Sequence, residues 1–308
     1  MRSPVSLLLY DSRPGRLLFS RISPYSDPFA KLAGSPREEY LPWSELSAVT
    51  GMDSQGKALI YMEQGGESSV NYETRFYTNG ASRVLGPGLP LAISPDGRRV
   101  ASLLFSPPAL VLHPTGPGQS KKVDLQGLEP AGAAWFPDGA RLLLKARKGE
   151  GFQHFVLPLD GSPPIELTPP GFASPLYGLL GISPDGKTAC LPNAEGRLVL
   201  WPIDGGEPRT LPGVHSDESL AGWSADGNHI YLYKLGTIPS PVTKYNLRTG
   251  ERQIIHHLGE SAAADGLAGQ TLIYTALVSP DGSAYAYHRY HTWSSLHVAE
   301  ALPLPAGK

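Results

Sequence analysis

The sequence predicts an all-β fold, a β-propeller of seven blades, six clear and four-stranded and a seventh that looks incomplete, without an evident fourth strand. Three observations predict it. A turn marker recurs seven times, a second turn keeps the same period, and short β-type runs lie between them. The reading covers 308 residues as a single domain. Its repeats run approximately over 1–43, 44–86, 87–127, 128–171, 172–214, 215–260 and 261–308.

The clearest markers are Ile93-Ser94-Pro95-Asp96-Gly97, Trp135-Phe136-Pro137-Asp138-Gly139 and Ile182-Ser183-Pro184-Asp185-Gly186. Trp223-Ser224-Ala225-Asp226-Gly227 and Val278-Ser279-Pro280-Asp281-Gly282 continue the series, and weaker copies end at Gly15 and Gly56. Successive marker glycines at 15, 56, 97, 139, 186, 227 and 282 are 41, 41, 42, 47, 41 and 55 residues apart. Proline presets φ for the turn, aspartate accepts from nearby backbone N–H groups, and glycine takes the positive φ. Each marker therefore reads as a hairpin between strands A and B of one blade.

A second turn follows the first by 19 to 24 residues, at Gly34, Asn79-Gly80, Thr115-Gly116, Asp160-Gly161, Asp204-Gly205-Gly206 and Thr249-Gly250. Two turns on one period imply four strands per unit, with the second turn between strands C and D. Strand C is legible at Phe155-Val156-Leu157, Leu198-Val199-Leu200-Trp201 and Val242-Thr243-Lys244-Tyr245. No amphipathic helix is expected. The first unit opens with strand A around Ser6 to Tyr10, and the last reaches strand C around Leu296 to Ala299. A last strand D is not evident. Either that blade has three strands, or a terminal segment completes it, or the ring continues in a longer chain.

Composition excludes several classes. The 26 basic and 28 acidic residues leave no electrostatic footprint for nucleic acid or an anionic membrane. The 35 glycines and 31 prolines fall between apolar runs, as turn punctuation rather than disorder. Cys190 is the only cysteine, so no intramolecular disulfide forms; its apolar neighbours suggest a buried small hydrophobe. No membrane-spanning apolar run exists, and Val5 to Tyr10 is too short for a signal-peptide core, so the chain as written is expected in the cytoplasm.

The Ser-Pro-Asp-Gly marker at this spacing resembles the TolB-type, WD-repeat-like bacterial propellers, without the Gly-His and Trp-Asp dipeptides of the eukaryotic WD repeat. Leu103 to Thr115, Gly132 to Leu144, Leu200 to Leu211 and above all Ser279 to Leu302 resemble the C-terminal propeller of bacterial eukaryotic-like serine/threonine kinases. That resemblance implies a sensory or interaction module behind a kinase domain and usually a membrane segment, hence an extracytoplasmic place. The kinase motifs themselves are missing: no Gly-rich phosphate loop, no His-Arg-Asp loop, no Asp-Phe-Gly.

Gly181-Ile182-Ser183-Pro184-Asp185 lacks the second glycine of a nucleophile elbow. There is no His-Glu-x-x-His, and His256 and His257 alternate across a strand, so they do not share a metal. The recurrent Asp96, Asp138, Asp185, Asp226 and Asp281 suggest calcium only superficially; capping of the turn explains their position in each blade. No cofactor or metal is expected.

The expected binding face collects the B–C and D–A loops, because aromatic side chains beside charges on loops suit a protein, peptide or glycan ligand. The candidates are Tyr25, Trp43, Tyr72, Arg147, Phe152, His215, Asp217, Tyr290, His291 and Trp293. The competing structural reading is that Trp43 and Trp293 pack between blades and that His215, Asp217 and Glu218 are solvated. The insertion Gly259 to Gln270 is a lid or a tolerated loop. The expected function is a non-catalytic binding or sensor propeller. The alternatives are a lyase or hydrolase with a channel site, whose first suspects are His215, His291 and Arg147, or the accessory propeller of a prolyl-oligopeptidase-like enzyme.

Overall fold

The computed structural model describes residues 6–13, 16–44, 46–64, 72–173, 179–260 and 270–300. The chain opens with β1 (Ser6–Arg13), β2 (Arg16–Lys31) and β3 (Glu39–Tyr40). Five sheets of consecutive strands follow. Blade I holds β4 (Ser47–Met52), β5 (Ala58–Gln64), β6 (Tyr72–Thr78) and β7 (Ala81–Pro87). Blade II holds β8 (Leu89–Ile93), β9 (Arg99–Phe105), β10 (Pro108–Pro114) and β11 (Lys121–Lys122). Blade III holds β12 (Glu129–Trp135), β13 (Arg141–Arg147), β14 (Phe152–Pro158) and β15 (Ile165–Glu166). Blade IV holds β16 (Gly181–Ile182), β17 (Thr188–Pro192), β18 (Leu198–Pro202) and β19 (Arg209–Thr210). Blade V holds β20 (Glu218–Trp223), β21 (His229–Lys234), β22 (Ser240–Asn246) and β23 (Arg252–Leu258). The chain then runs into β24 (Gln270–Val278) and β25 (Tyr285–Glu300).

The fold is an all-β propeller, and the described residues contain no α-helix. The first and last repeats share one sheet. In blade VI, β24 and β25 are strands A and B, while β2 and β3 from the other end of the sequence supply C and D. The unfinished seventh repeat is thus completed by a terminal segment, and the described strands form six sheets. The innermost strands β4, β8, β12, β16, β20 and β24 touch one another in turn, and β24 touches β4. The ring closes.

The Gly15 marker therefore has a different place from the others. Gly15 lies outside the described residues, and the strands on either side of it in sequence, β1 and β2, are not inner strands. Ser6 to Tyr10 is not an innermost strand, and Leu296 to Ala299 continues β25 instead of forming a separate strand C. The reason is length. β2 and β25 pair over sixteen residues, from Arg16 with Glu300 to Lys31 with Tyr285. Beyond the reach of β24 and β3 they continue, with β1, as a three-stranded ribbon.

The other markers form the A–B turns. At the blade II marker, Asp96 Oδ1 accepts from Ser94 Oγ at 2.5 Å and from the Arg98 N–H at 3.1 Å, and Ser94 Oγ accepts from the Arg99 N–H at 2.9 Å. Gly97 takes φ 70°. The same network recurs around Asp185 and Asp281. These hydrogen bonds hold the carboxyls of Asp96, Asp185 and Asp281 below the usual range, with the serine hydroxyl the largest cause. The aspartates are occupied by their own turns.

The core lies between blades. Leu142, Leu144 and Phe155 of blade III pack on Ala101, Leu110 and Leu112 of blade II. On the other face, Leu143 and Val156 meet Leu180, Ala189 and Leu191 of blade IV. Alternation along β13 sends successive residues to opposite blades, and each fully buried side chain contributes roughly 1.5–3 kcal/mol. Cys190 is fully buried in this core, and burial pushes its thiol up to about 12. Five of the six inner strands carry a bulge against strand B, at Thr50, Leu91, Ala131, Ala221 and Tyr274, which bends and twists the strand locally. At Gly222 a Cβ would stand 2.6 Å from the Val278 carbonyl oxygen of the next inner strand, so only glycine fits.

Ser279→Ala removes the hydroxyl that links Asp281 to the Ala284 N–H and is expected to cost about 1 kcal/mol, read as a lower urea midpoint at unchanged slope. A second outcome concerns acid. His288 is buried on β25, and burial lowers its pKa to about 4 from 6.5. The unfolded chain binds this proton near pH 6.5 and the folded chain only near 4. Its contribution is full above pH 6.5 and drains away as pH falls through that window. Urea titrations of His288→Leu should show a shallower loss of stability between pH 6.5 and 4 than the parent.

Candidate functional site

The predicted residues fall into separate groups on different blades. Tyr25, Tyr290, His291 and Trp293 were expected in B–C loops, but they stand in the long β2–β25 ladder. The ladder replaces the loop that other blades have there. Asp27, beside Tyr25, becomes the centre of a buried polar cluster. His291 Nε2 lies 3.0 Å and Arg289 Nη2 3.1 Å from the same oxygen, Asp27 Oδ2. His291 Nδ1 lies 2.9 Å from Thr271 Oγ1. The Arg289 guanidinium stacks on the Phe29 ring at 4.5 Å. All three charged or titratable members are less than 10% exposed. Tyr25 covers them, 6.1 Å from the His291 ring, with its hydroxyl 3.5 Å from that of Tyr40. The Tyr40 hydroxyl is the largest cause that raises the Tyr25 phenol, ahead of burial and Asp27. Tyr290 turns to the other face and meets Tyr274 edge to face at 5.5 Å. The Trp293 backbone pairs with Ser23, and its side chain lies outside the described residues.

This cluster is a clamp across the join. One carboxylate bridges two cationic or proton-bearing groups of the opposite strand where water is excluded. Both ring nitrogens of His291 are engaged, so the ring is held in place.

The second group opens to solvent. His215 and Asp217 line a recess of about 480 Å³ beside the connector that enters blade V, with Gly213, Glu218, Lys234 and Arg252. Asp217 pairs with Lys234 Nζ at 3.1 Å, both half exposed. That contact is the largest cause holding the Asp217 carboxyl below the usual range. Buried Glu218 pairs with Arg252 and accepts the His215 N–H at 3.0 Å. The cluster is thus two crossed ion pairs, one exposed and one anchored.

The remaining candidates are local. Arg147 pairs with Glu129 and stands opposite Phe152 at the start of β14. Tyr72 lies 5.5 Å from Phe105 of the next blade. Trp43 stacks flat on Tyr61 at 3.6 Å and meets Tyr77 edge-on, so it packs against blade I. Glu45, most of the Glu67 and Phe172 loops, and the insertion after Glu260 lie outside the described residues. Of the two strand histidines, His256 lies tilted against the Tyr285 ring at 4.7 Å and bonds the Gly282 carbonyl at 2.7 Å, while His257 is exposed.

Sequence reasoning missed a polar group inside blade III. Lys145, Gln153, His154 and Thr168 are all buried. Burial lowers the Lys145 amine to about 8, and burial with the Lys145 charge beside it lowers His154 to about 3. The signal was present: Lys145 interrupts the apolar run Leu142 to Ala146 at an inward position. A larger cavity was also missed, about 810 Å³ between blades IV and V on the side of the short turns.

The fold has counterparts among solved structures. A TolB-type protein of Agrobacterium tumefaciens matches with a TM-score of 0.58 at 16% identity, over 87% of this chain and 99% of that one. TolB of Acinetobacter baumannii matches at 0.53 and 16%, over 96% and 82%. A chain of the nidogen/laminin complex matches at 0.56 and 13%, over 84% and 95%. The likeness is one of fold. No protein-family model matches the sequence, and no curated protein does.

Asp27→Asn removes the carboxylate that buried Arg289 and His291 share and is expected to cost about 3 kcal/mol, measured by urea unfolding. Arg147→Ala, which breaks only a half-exposed pair, should change stability by less than about 1 kcal/mol in the same assay.

Proposed function

We propose that this chain is a non-catalytic binding propeller that engages a protein or peptide on the side of blades V and VI that carries the His215 connector. The observation that carries this reading is the recess around His215, Asp217 and Lys234. Its outer pair is half exposed and free to exchange partners, while Glu218 and Arg252 fix its floor. Charges so arranged steer association and select partners more than they add affinity. The ribbon of β1, β2 and β25 presents Leu296 and Val298, 67% and 55% exposed, which supplies apolar contact as well. One neighbour in fold comes from a protein–protein complex, which supports a protein ligand over a glycan.

The finer reading is a sensor module of a bacterial serine/threonine kinase system, supported by the resemblance of Ser279 to Leu302 to kinase-linked propellers. An anchored kinase would set the propeller outside the cytoplasm. The enzymatic alternative draws little from its first suspects. Arg147 is held by Glu129, His291 by Asp27 and Thr271, and His215 sits on a connector of another blade.

The test is capture on the immobilised chain, with and without Lys234→Glu, followed by calorimetry on the recovered partner. The variant should bind about ten-fold more weakly, a change of about 1.4 kcal/mol, with an unchanged melting temperature. Equal capture by the variant, or ester or glycan turnover that disappears in His215→Ala, would overturn the reading.

A further inference from the structure

The cavity between blades IV and V has a filled counterpart elsewhere in the ring. Two markers carry tryptophan four residues before the turn glycine, Trp135 and Trp223. The residue two after the glycine of the preceding blade, the first of its strand B, faces each of them across the junction. At the junction of blades II and III it is Arg99. Its guanidinium stacks on the Trp135 ring at 4.7 Å, and its Nη2 donates to the Gly139 carbonyl at 2.9 Å. The Trp135 indole N–H donates to the Ala92 carbonyl at 3.3 Å.

At the junction of blades IV and V the same place holds Thr188, too short to reach across. The space remains open as the 810 Å³ cavity, lined by Thr188 on one side and Trp223 on the other. The indole Nε1 of Trp223 is buried and has no hydrogen-bond partner among the described residues. Asp185, Asp226 and Glu207 bring three carboxylates to the lining, against the guanidiniums of Arg209 and Arg248. Asp226 stays ionised, because the Ser224 hydroxyl and the Asn228 N–H bond its anionic form.

We propose that this cavity is a binding site for the guanidinium of an arginine side chain presented by a partner polypeptide. The incoming group takes the place that Arg99 holds one junction away: its plane on the Trp223 ring, one N–H on the Gly227 carbonyl. Arginine fits better than lysine, because the planar guanidinium stacks and donates along a fixed fork while the ammonium is a compact, strongly hydrated charge. The cavity lies within the range of ligand sites and exceeds one side chain, so residues flanking the arginine enter with it. The site is on the short-turn side and stands independently of the recess at His215.

The experiment uses the whole chain and two short capped peptides, Gly-Arg-Gly and Gly-Lys-Gly. Indole N–H signals of the five tryptophans are followed by nuclear magnetic resonance, with Trp223→Phe for assignment. The arginine peptide should shift the Trp223 signal selectively and saturably, and the lysine peptide should bind at least about ten-fold more weakly. Thr188→Arg rebuilds the filled junction. It should abolish the shift and raise the melting temperature, and it also identifies the Trp223 signal if Trp223→Phe fails to fold. No Trp223 response to the arginine peptide at about 10 mM, or the same response in Thr188→Arg, refutes the proposal.

Discussion

The ladder between β2 and β25 is the constraint on which the rest depends. Each blade is a twisted wedge that buries both faces on its neighbours, so an open ring would leave two apolar faces wet. Blade VI prevents this by taking strands from both ends of the sequence. One face of the join carries Phe29, Tyr285 and Tyr287 against blade V; the other carries Ala30 and Ala286 against blade I. Register matters here, since a slip of one residue would exchange these faces. Asp27 fixes the register from within, because only the observed pairing sets it opposite Arg289 with His291 two residues further along the strand.

Much of the architecture was legible because turn chemistry is local. Asp96, Asp185 and Asp281 bond to atoms within a few residues of themselves, so the sequence alone names their role. The same locality explains what was hidden. Asp11 and Ser12 begin a similar marker, yet they stand at the end of β1, a strand of the ribbon and not an inner strand. A turn motif says that the chain reverses, not which sheet receives it. Tyr290 to Trp293 read as loop because every complete repeat has a loop there; the partner that extends the strand is Ser23 to Ser26, far away in sequence.

Sites followed the same division. The His215 recess was found because its charges lie together on one connector. The cavity at Trp223 could not be found that way, since it exists through a residue of the neighbouring blade that is small. Thr188 is unremarkable by itself and informative only beside Arg99 at the equivalent place. Repetition inside one chain thus serves as its own control: where two junctions carry the same tryptophan, a difference in the residue that faces it carries meaning. Lys145 is a departure of the same kind, a charge at an inward position of a strand that is otherwise apolar.

The sharing of blade VI also orders events in time. Arg16 leaves the ribosome long before Glu300, by on the order of half a minute at ordinary rates of synthesis. Blades I to V are each local in sequence and can form as they emerge. β2 can pair early only with β1 and β3, since β25, which pairs along its whole length, does not yet exist. During that interval the whole edge of β2 that will take β25 stays unpaired on a half-built ring, and it is the segment a chaperone or a neighbouring nascent chain would meet first. The strand that ends this exposure, β25, is made after all five local blades.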